Sequence, residues 1–253
     1  MENYDLINPR MGSLNHVRYS NGNCYPAVAI PHGMNFYSIQ TNHLKNEIGS
    51  DNWFYSPLDK FFEGVRLTHM PSPRLGDYGK LLIYGQCGEL SQSDSYWTSY
   101  NNEAAVIEPA YMSLYAERDR YSVELTPTNA CAAMRFKFNA EGGINRVVFT
   151  TERMEYEFKG GRLYISTKQC SANHKYSDDD PRRICERIIV YTDAAVNMEA
   201  NGNKVSLATE ADEFVIYIAT SYISFEQAAL NFSREVGGKS FDEIRAAAEA
   251  EWK

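Results

Sequence analysis

Long apolar runs, paired cysteines and an excess of basic residues are all missing from this chain, and each absence narrows what it can be. No stretch approaches about 18 consecutive apolar residues, so no helix is built to span a membrane. The five cysteines, Cys24, Cys87, Cys131, Cys170 and Cys185, are odd in number and widely spaced, with no Cys-x-x-Cys pair. That excludes the usual zinc spacing and a disulfide framework, and it points to free, mostly buried thiols in a reducing compartment. The first residues, Met1-Glu-Asn-Tyr-Asp5, have neither the basic region nor the apolar core of a secretion signal. As read, the chain is cytoplasmic; removal of a signal would instead make it secreted or periplasmic. Lys and Arg number 25 against 33 Asp and Glu, a net charge of −8. Without a basic stripe to displace counterions, nucleic acid is not the partner.

Catalytic signatures are missing as well. The sequence contains no Gly-x-Ser-x-Gly elbow, no phosphate-binding loop and no His-Glu-x-x-His. Two carboxylates can always be chosen from 33, but none stands in a motif that marks one as acid and the other as base. Cys24 and His69 could be nucleophile and base, yet nothing in their spacing fixes that geometry.

What remains is a chain of 253 residues with ordinary hydrophobic content, 18 tyrosines and 12 phenylalanines against three tryptophans. Such aromatics suit pleated sheets and polar binding surfaces alike. Apolar, alternating runs suggest strands near 34–39, 61–68, 80–86, 104–108, 111–118, 121–128, 131–139, 145–150, 154–159, 162–170, 185–192, 203–208 and 213–221. Met134, Phe136 and Phe138 alternate with Arg135 and Lys137, a strand with one wet face. Lys159-Gly-Gly-Arg162 and Asn201-Gly202 are hairpin turns. Many short strands at close intervals predict an all-β fold, a large antiparallel β-sandwich, with a closed barrel as the alternative.

The last thirty residues change character. Ser224 with Gln227, and Ser240 with Glu243, form two capping boxes, each followed by apolar residues at helical spacing. Gly237-Gly238 separates the two helices. Trp252 is expected to be exposed on a second helix that has no stop signal, as if the helix led into a longer protein.

Candidate binding residues cluster in two places. Leu67-Thr-His-Met-Pro-Ser-Pro-Arg-Leu-Gly-Asp-Tyr-Gly79 joins two strand-like runs, and its prolines preorganise a polar turn that carries His69 and Asp77. His69 can equally be bonded inside the turn, and Asp77 can cap its backbone amides. Gln40 and Thr41 form a polar strand end with groups suited to sugar hydroxyls, or simply a solvated end. Trp53, between Asn52 and Phe54 in a long polar stretch, is either a loop anchor or a ligand wall.

Gly22-Asn-Cys-Tyr-Pro26, Gly33-Met-Asn-Phe36 with Gln40-Thr41, Gly64 to Pro73, and Gly76-Asp-Tyr-Gly79 together resemble the front motifs of glycoside hydrolase family 92. Lys239 to Trp252 is similar to that family's passage out of its first domain. The resemblance implies an inverting, calcium-dependent α-mannosidase with an N-terminal sandwich, linker helices and a C-terminal (α/α)6 barrel. It makes residues 1–222 the supersandwich-like β-domain and 223–253 a helical linker to a barrel outside this sequence. It puts the acid, the base and most calcium ligands in that barrel, so none of the catalytic or metal residues is assigned to this chain. His69, Asp77, Trp53, Gln40 and Thr41 become candidates for the wall that contacts a mannose-containing glycan, and the chain alone is expected to be inactive. Arg74 stands where many relatives carry an aromatic residue, and His32, Tyr37, Ser38 and Ile39 replace residues that are often Trp, Trp, Thr and Pro. Substrate preference is therefore the least transferable inference. The alternative is a stand-alone carbohydrate-binding sandwich without catalysis.

Overall fold

Alternation along the strands decides the architecture, because every second residue is apolar and must be covered. The computed structural model describes residues 3–14, 24–41, 55–69, 81–91, 97–139, 143–151, 154–169 and 184–253. Within them a six-stranded antiparallel sheet joins β1 (Phe36–Gln40), β3 (Gly64–Thr68), β4 (Leu82–Cys87), β10 (Asn145–Thr150), β15 (Lys204–Thr209) and β14 (Asn197–Asn201), in that order. An eight-stranded antiparallel sheet runs β11 (Met154–Lys159), β12 (Arg162–Gln169), β13 (Ile184–Thr192), β16 (Glu213–Ser221), β9 (Cys131–Phe138), β8 (Tyr121–Pro127), β7 (Tyr111–Ala116) and β6 (Val106–Glu108). A two-residue pair, β2 (Phe61–Phe62) with β5 (Thr98–Ser99), sits apart.

The two large sheets share one apolar interior. Tyr37, Ile39, Val65, Leu67, Val147 and Phe149 come from the smaller sheet, and Met134, Phe136, Phe138, Ile188, Val190 and Ile216 from the larger. These side chains follow the strand period of two, so each strand presents one inward set. Gly85 in β4 lets the sheets approach closely: an added Cβ there would fall 2.8 Å from the Tyr121 ring. The tight turn between β11 and β12 pairs Lys159 with Arg162, and both intervening glycines take positive φ, +59° and +73°. That is the conformation the Gly-Gly dipeptide supplies at least steric cost.

The other face of the larger sheet carries a second cluster, Cys131, Ala133, Ile189, Tyr191, Val215 and Ala219, which would be wet in a simple sandwich. Helices α1 (Phe225–Glu235) and α2 (Phe241–Trp252) cover it through Ala228, Val236, Phe241 and Ile244. The result is sheet on sheet on helices. Ser240 and Glu243 complete a reciprocal capping box. At α1 only half of one forms: Ser224 accepts from the Gln227 amide, but the Gln227 side chain donates to Asn231 Oδ1 at 2.8 Å. Trp252 is not left exposed. It is half-buried, packs with Ile30, and its indole N–H donates to the Ala29 carbonyl at 2.8 Å.

Three details differ from the sequence reading. The strand expected near 104–108 is confined to Val106–Glu108. β14 is an additional strand; in Asn-Met-Glu-Ala-Asn only Met198 and Ala200 alternate with polar residues, a short signal on a strand at the sheet edge. The third is the outer face of the smaller sheet, where Arg146, Lys204, Gln86 and Ser206 are buried although their phase opposes the core.

Candidate functional site

His69 continues the inward phase of β3, after Val65 and Leu67, and its position follows from that alternation. The side chain is 6% exposed and both ring nitrogens face protein groups. Nδ1 lies 3.1 Å from the Met34 carbonyl. A carbonyl only accepts, so Nδ1 carries the proton. Nε2 lies 3.1 Å from Oε1 of Glu186, a side chain only 1% exposed. At that distance the pair is an ion pair when the imidazole is protonated. The Tyr222 ring stands edge-on to the imidazole, with centroids 5.0 Å apart.

Glu186 arrives by the same logic on the opposite sheet. In β13 it shares its phase with Ile188 and Val190, which point into the core. Thr167 of β12 is its cross-strand partner and is fully buried. Among the described residues neither Oε2 of Glu186 nor Oγ1 of Thr167 has a hydrogen-bond partner. Around them the inter-sheet space stays polar: Asn35 donates to Thr220 Oγ1 at 2.9 Å and reaches the Tyr37 hydroxyl at 3.4 Å. Burial pushes the Tyr37 phenol well up from its ordinary value, and Cys131 and Glu186 add to it. On the other phase of β3, Thr68 shares a 2.7 Å hydrogen bond with Tyr25. The end of β3 is thus clasped between the sheets by His69 and tied to the 24–41 segment by Thr68.

Gln40 and Thr41 lie elsewhere. β1 and β3 are antiparallel with Phe36 opposite Thr68 and Gln40 opposite Gly64, so His69 and Gln40 occupy opposite ends of one ladder. The separation along the strand is roughly 14–17 Å at ~3.4 Å per residue. Gln40 is 3% exposed, and its amide bridges two charges, donating to Glu63 Oε2 at 2.7 Å and accepting from Arg66 Nη1 at 2.7 Å. Thr41 Oγ1 donates to Asp59 Oδ2 at 2.9 Å and accepts from the Ser56 amide at 2.9 Å. Burial pushes the Asp59 carboxyl up, against the Thr41 hydrogen bond. Asp77 and Trp53 lie outside the described residues. The structure therefore does not gather His69, Gln40 and Thr41 at one point, and it adds Glu186 and Tyr222, which no motif marks. Among the described residues no group of three or more His, Cys, Asp or Glu could hold a metal ion, so none is assigned to calcium.

A family model described as the glycosyl hydrolase family 92 N-terminal domain matches residues 6–214. Among solved structures, the chain is similar to the Family GH92 inverting mannosidase BT2199 from Bacteroides thetaiotaomicron VPI-5482. The TM-score is 0.82 at 26% identity, covering 100% of this chain and 36% of that one. It also shares the fold of the family GH92 α-mannosidase BT3965 from Bacteroides thetaiotaomicron in complex with mannoimidazole. There the TM-score is 0.81 at 16% identity, covering 98% of this chain and 36% of that one. This chain thus spans about a third of the length of these relatives. No curated protein matches it.

Proposed function

The chain belongs to glycosyl hydrolase family 92, as its N-terminal domain, and from that premise we propose that it forms part of an α-mannosidase acting with inversion on a mannose-containing glycan. The observation that carries this is one of extent. All of this chain superposes on a Family GH92 inverting mannosidase, yet it accounts for only 36% of that enzyme. Its own sequence supplies no motif pairing an acid with a base. In this reading both catalytic carboxylates, and the residues that hold calcium, belong to the remainder of the parent protein. Inversion requires the acid to protonate the leaving oxygen while the base activates water on the opposite face of the sugar, with the carboxylates about 6.5–9.5 Å apart.

The domain's share is positional. His69, held by Met34 and Glu186, fixes the point at which β3 hands over to the Pro-Ser-Pro segment. Asp77 and Trp53 retain the role of wall residues on the strength of the family resemblance. Gln40 and Thr41 have their polar atoms committed to Glu63, Arg66, Ser56 and Asp59 and so brace the end of β1. The test is to follow hydrolysis of an aryl α-mannoside by the full-length protein with proton NMR. β-Mannose should appear first and then mutarotate. Initial release of α-mannose, or no hydrolysis at all, would refute the reading.

A further inference from the structure

A second cavity lies far from the His69 contact, on the opposite face of the larger sheet. It is an open groove of about 340 Å³. Its floor is a square of outward residues on two neighbouring strands, Ser113 and Tyr115 of β7 opposite Glu124 and Ser122 of β8. Asn101 and Glu117 line it as well. The strand registers fix its distance from Glu186. Four strand spacings separate β13 from β7, and Tyr115 is about nine residues further along, at the other end of the strands. With ~4.8 Å between strands and ~3.4 Å per residue, the two places are roughly 36 Å apart. The groove is therefore no extension of the His69 site.

Its lining selects among ligand classes. Among the described residues the lining holds the Glu117 and Glu124 carboxylates and no Lys or Arg, which disfavours phosphates, uronic acids and other anions. Glu124 is already committed. Arg135 grips it through two hydrogen bonds, at 2.6 and 2.9 Å, and Tyr111 donates at 2.7 Å. Burial alone would raise the Glu124 carboxyl, but the bonds from Arg135 and Tyr111 hold it below its ordinary value. With three acceptor positions used, one remains for an incoming hydroxyl. Glu117 alone is too little for a cation. A purely apolar occupant would strand the serine hydroxyls and both carboxylates. Tyr115 is 42% exposed and supplies the complementary feature, an aromatic surface next to fixed acceptors. A neutral ligand with one C–H-rich face and several hydroxyl donors satisfies every wall, and that describes a hexose ring.

We propose that this groove is a second, non-catalytic binding site for neutral hexose units of a glycan chain. This rests on the reading of the parent as a glycan hydrolase. A polymeric substrate held here is presented to the active site at raised effective concentration, whereas a one-sugar substrate gains nothing. The groove is preorganised, because Glu124 is pinned by Arg135, and Arg245 is stacked 3.6 Å over the Tyr111 ring beside it.

The test compares the full-length protein with Tyr115→Ala, which removes the platform, and Ser122→Arg, which fills the groove. Both positions are on the outer face, and unchanged circular dichroism checks folding. On soluble α-mannan, KM should rise roughly three- to tenfold in both variants. Meanwhile kcat/KM for an aryl α-mannoside should stay as in the wild type. An unchanged KM for α-mannan in both variants overturns the proposal, and so does an equal loss on both substrates. Should the parent hydrolyse neither substrate, native gels containing α-mannan decide. Wild-type retardation lost in both variants sustains the groove while the hydrolase reading falls. No wild-type retardation, or retardation kept by the variants, sinks the groove.

Discussion

Removing the Glu186 carboxylate should expose how strongly the two sheets are clasped at the end of β3. In Glu186→Ala the His69 ring keeps its Met34 hydrogen bond but loses the carboxylate 3.1 Å from Nε2. The two side chains are 6% and 1% exposed, so solvent screening is slight. With the imidazole protonated, at that distance and an effective dielectric near 20, the gross attraction is about 5 kcal/mol. Desolvation offsets much of it when the pair is intact. Breaking the pair from one side leaves the desolvation without the attraction, which costs about 3–5 kcal/mol. For a chain of this size that corresponds to a fall in Tm of roughly 6–20 °C. Part of the loss in the alanine variant is the cavity, so Glu186→Gln, equal in shape, isolates the charge and should recover a substantial part of the stability. Urea unfolding of wild type, Glu186→Ala, His69→Ala and the double variant supplies the cycle. The double variant should be more stable than the sum of the single losses implies, by about 1–3 kcal/mol. A loss below about 1 kcal/mol for Glu186→Ala, or strict additivity in the cycle, would refute the clasp.

Gly85→Ala should destabilise by about 2–3 kcal/mol in the same measurement. The new methyl would sit 2.8 Å from a Tyr121 ring that is itself packed against Phe136 and Phe138. The Glu124 carboxyl lies lower in the folded chain than its ordinary 4.5. Its contribution is therefore fully present above that value and is lost as pH falls through the depressed folded one. Tm against pH should drop more steeply below about pH 4.5 in the wild type than in Glu124→Gln. Burial, with help from the Asp119 carboxylate, pushes the Cys87 thiol up to about 11. Iodoacetamide at pH 8, read by mass spectrometry, should label Cys87 far more slowly in the native chain than in urea. Residues 1–253 on their own should release no mannose from an aryl α-mannoside above background.

Much of the fold was legible because strands buried on one face write their period into the sequence. Met134-Arg-Phe-Lys-Phe138 shows this in β9, and Ser240 with Glu243 marks the start of α2. What escaped was whatever the period does not record. β14 offers only Met198 and Ala200 as apolar positions, too short an alternation to stand out. Trp252 looked exposed because its acceptor, the Ala29 carbonyl, is 223 residues away in sequence. Gln40 read as a wet strand end because alternation puts it opposite the core, and nothing local reveals that the outer face is buried too. There Glu63 and Arg66 satisfy it, and Arg146 pairs with Glu199 at 2.9 Å.

His69 and Glu186 show where a usable signal was present in that same period. Continue the inward set of β3 by one step, Val65, Leu67, and the next member is His69. Continue the inward set of β13 backwards, Val190, Ile188, and the next member is Glu186. A basic and an acidic side chain each fall on the core phase of a strand end, and neither can be buried alone without a large penalty. Two such residues on facing sheets of one sandwich are therefore candidates to meet before any coordinates are known. The prolines of the 67–79 segment drew attention to His69 as a group presented outward, toward a ligand. Phase argues the opposite direction for its imidazole, and the 3.1 Å contact with Glu186 agrees with phase. A histidine at a strand end should first be assigned to a face by the residues two and four positions before it. Only a residue that lands on the wet phase earns consideration as a direct contact.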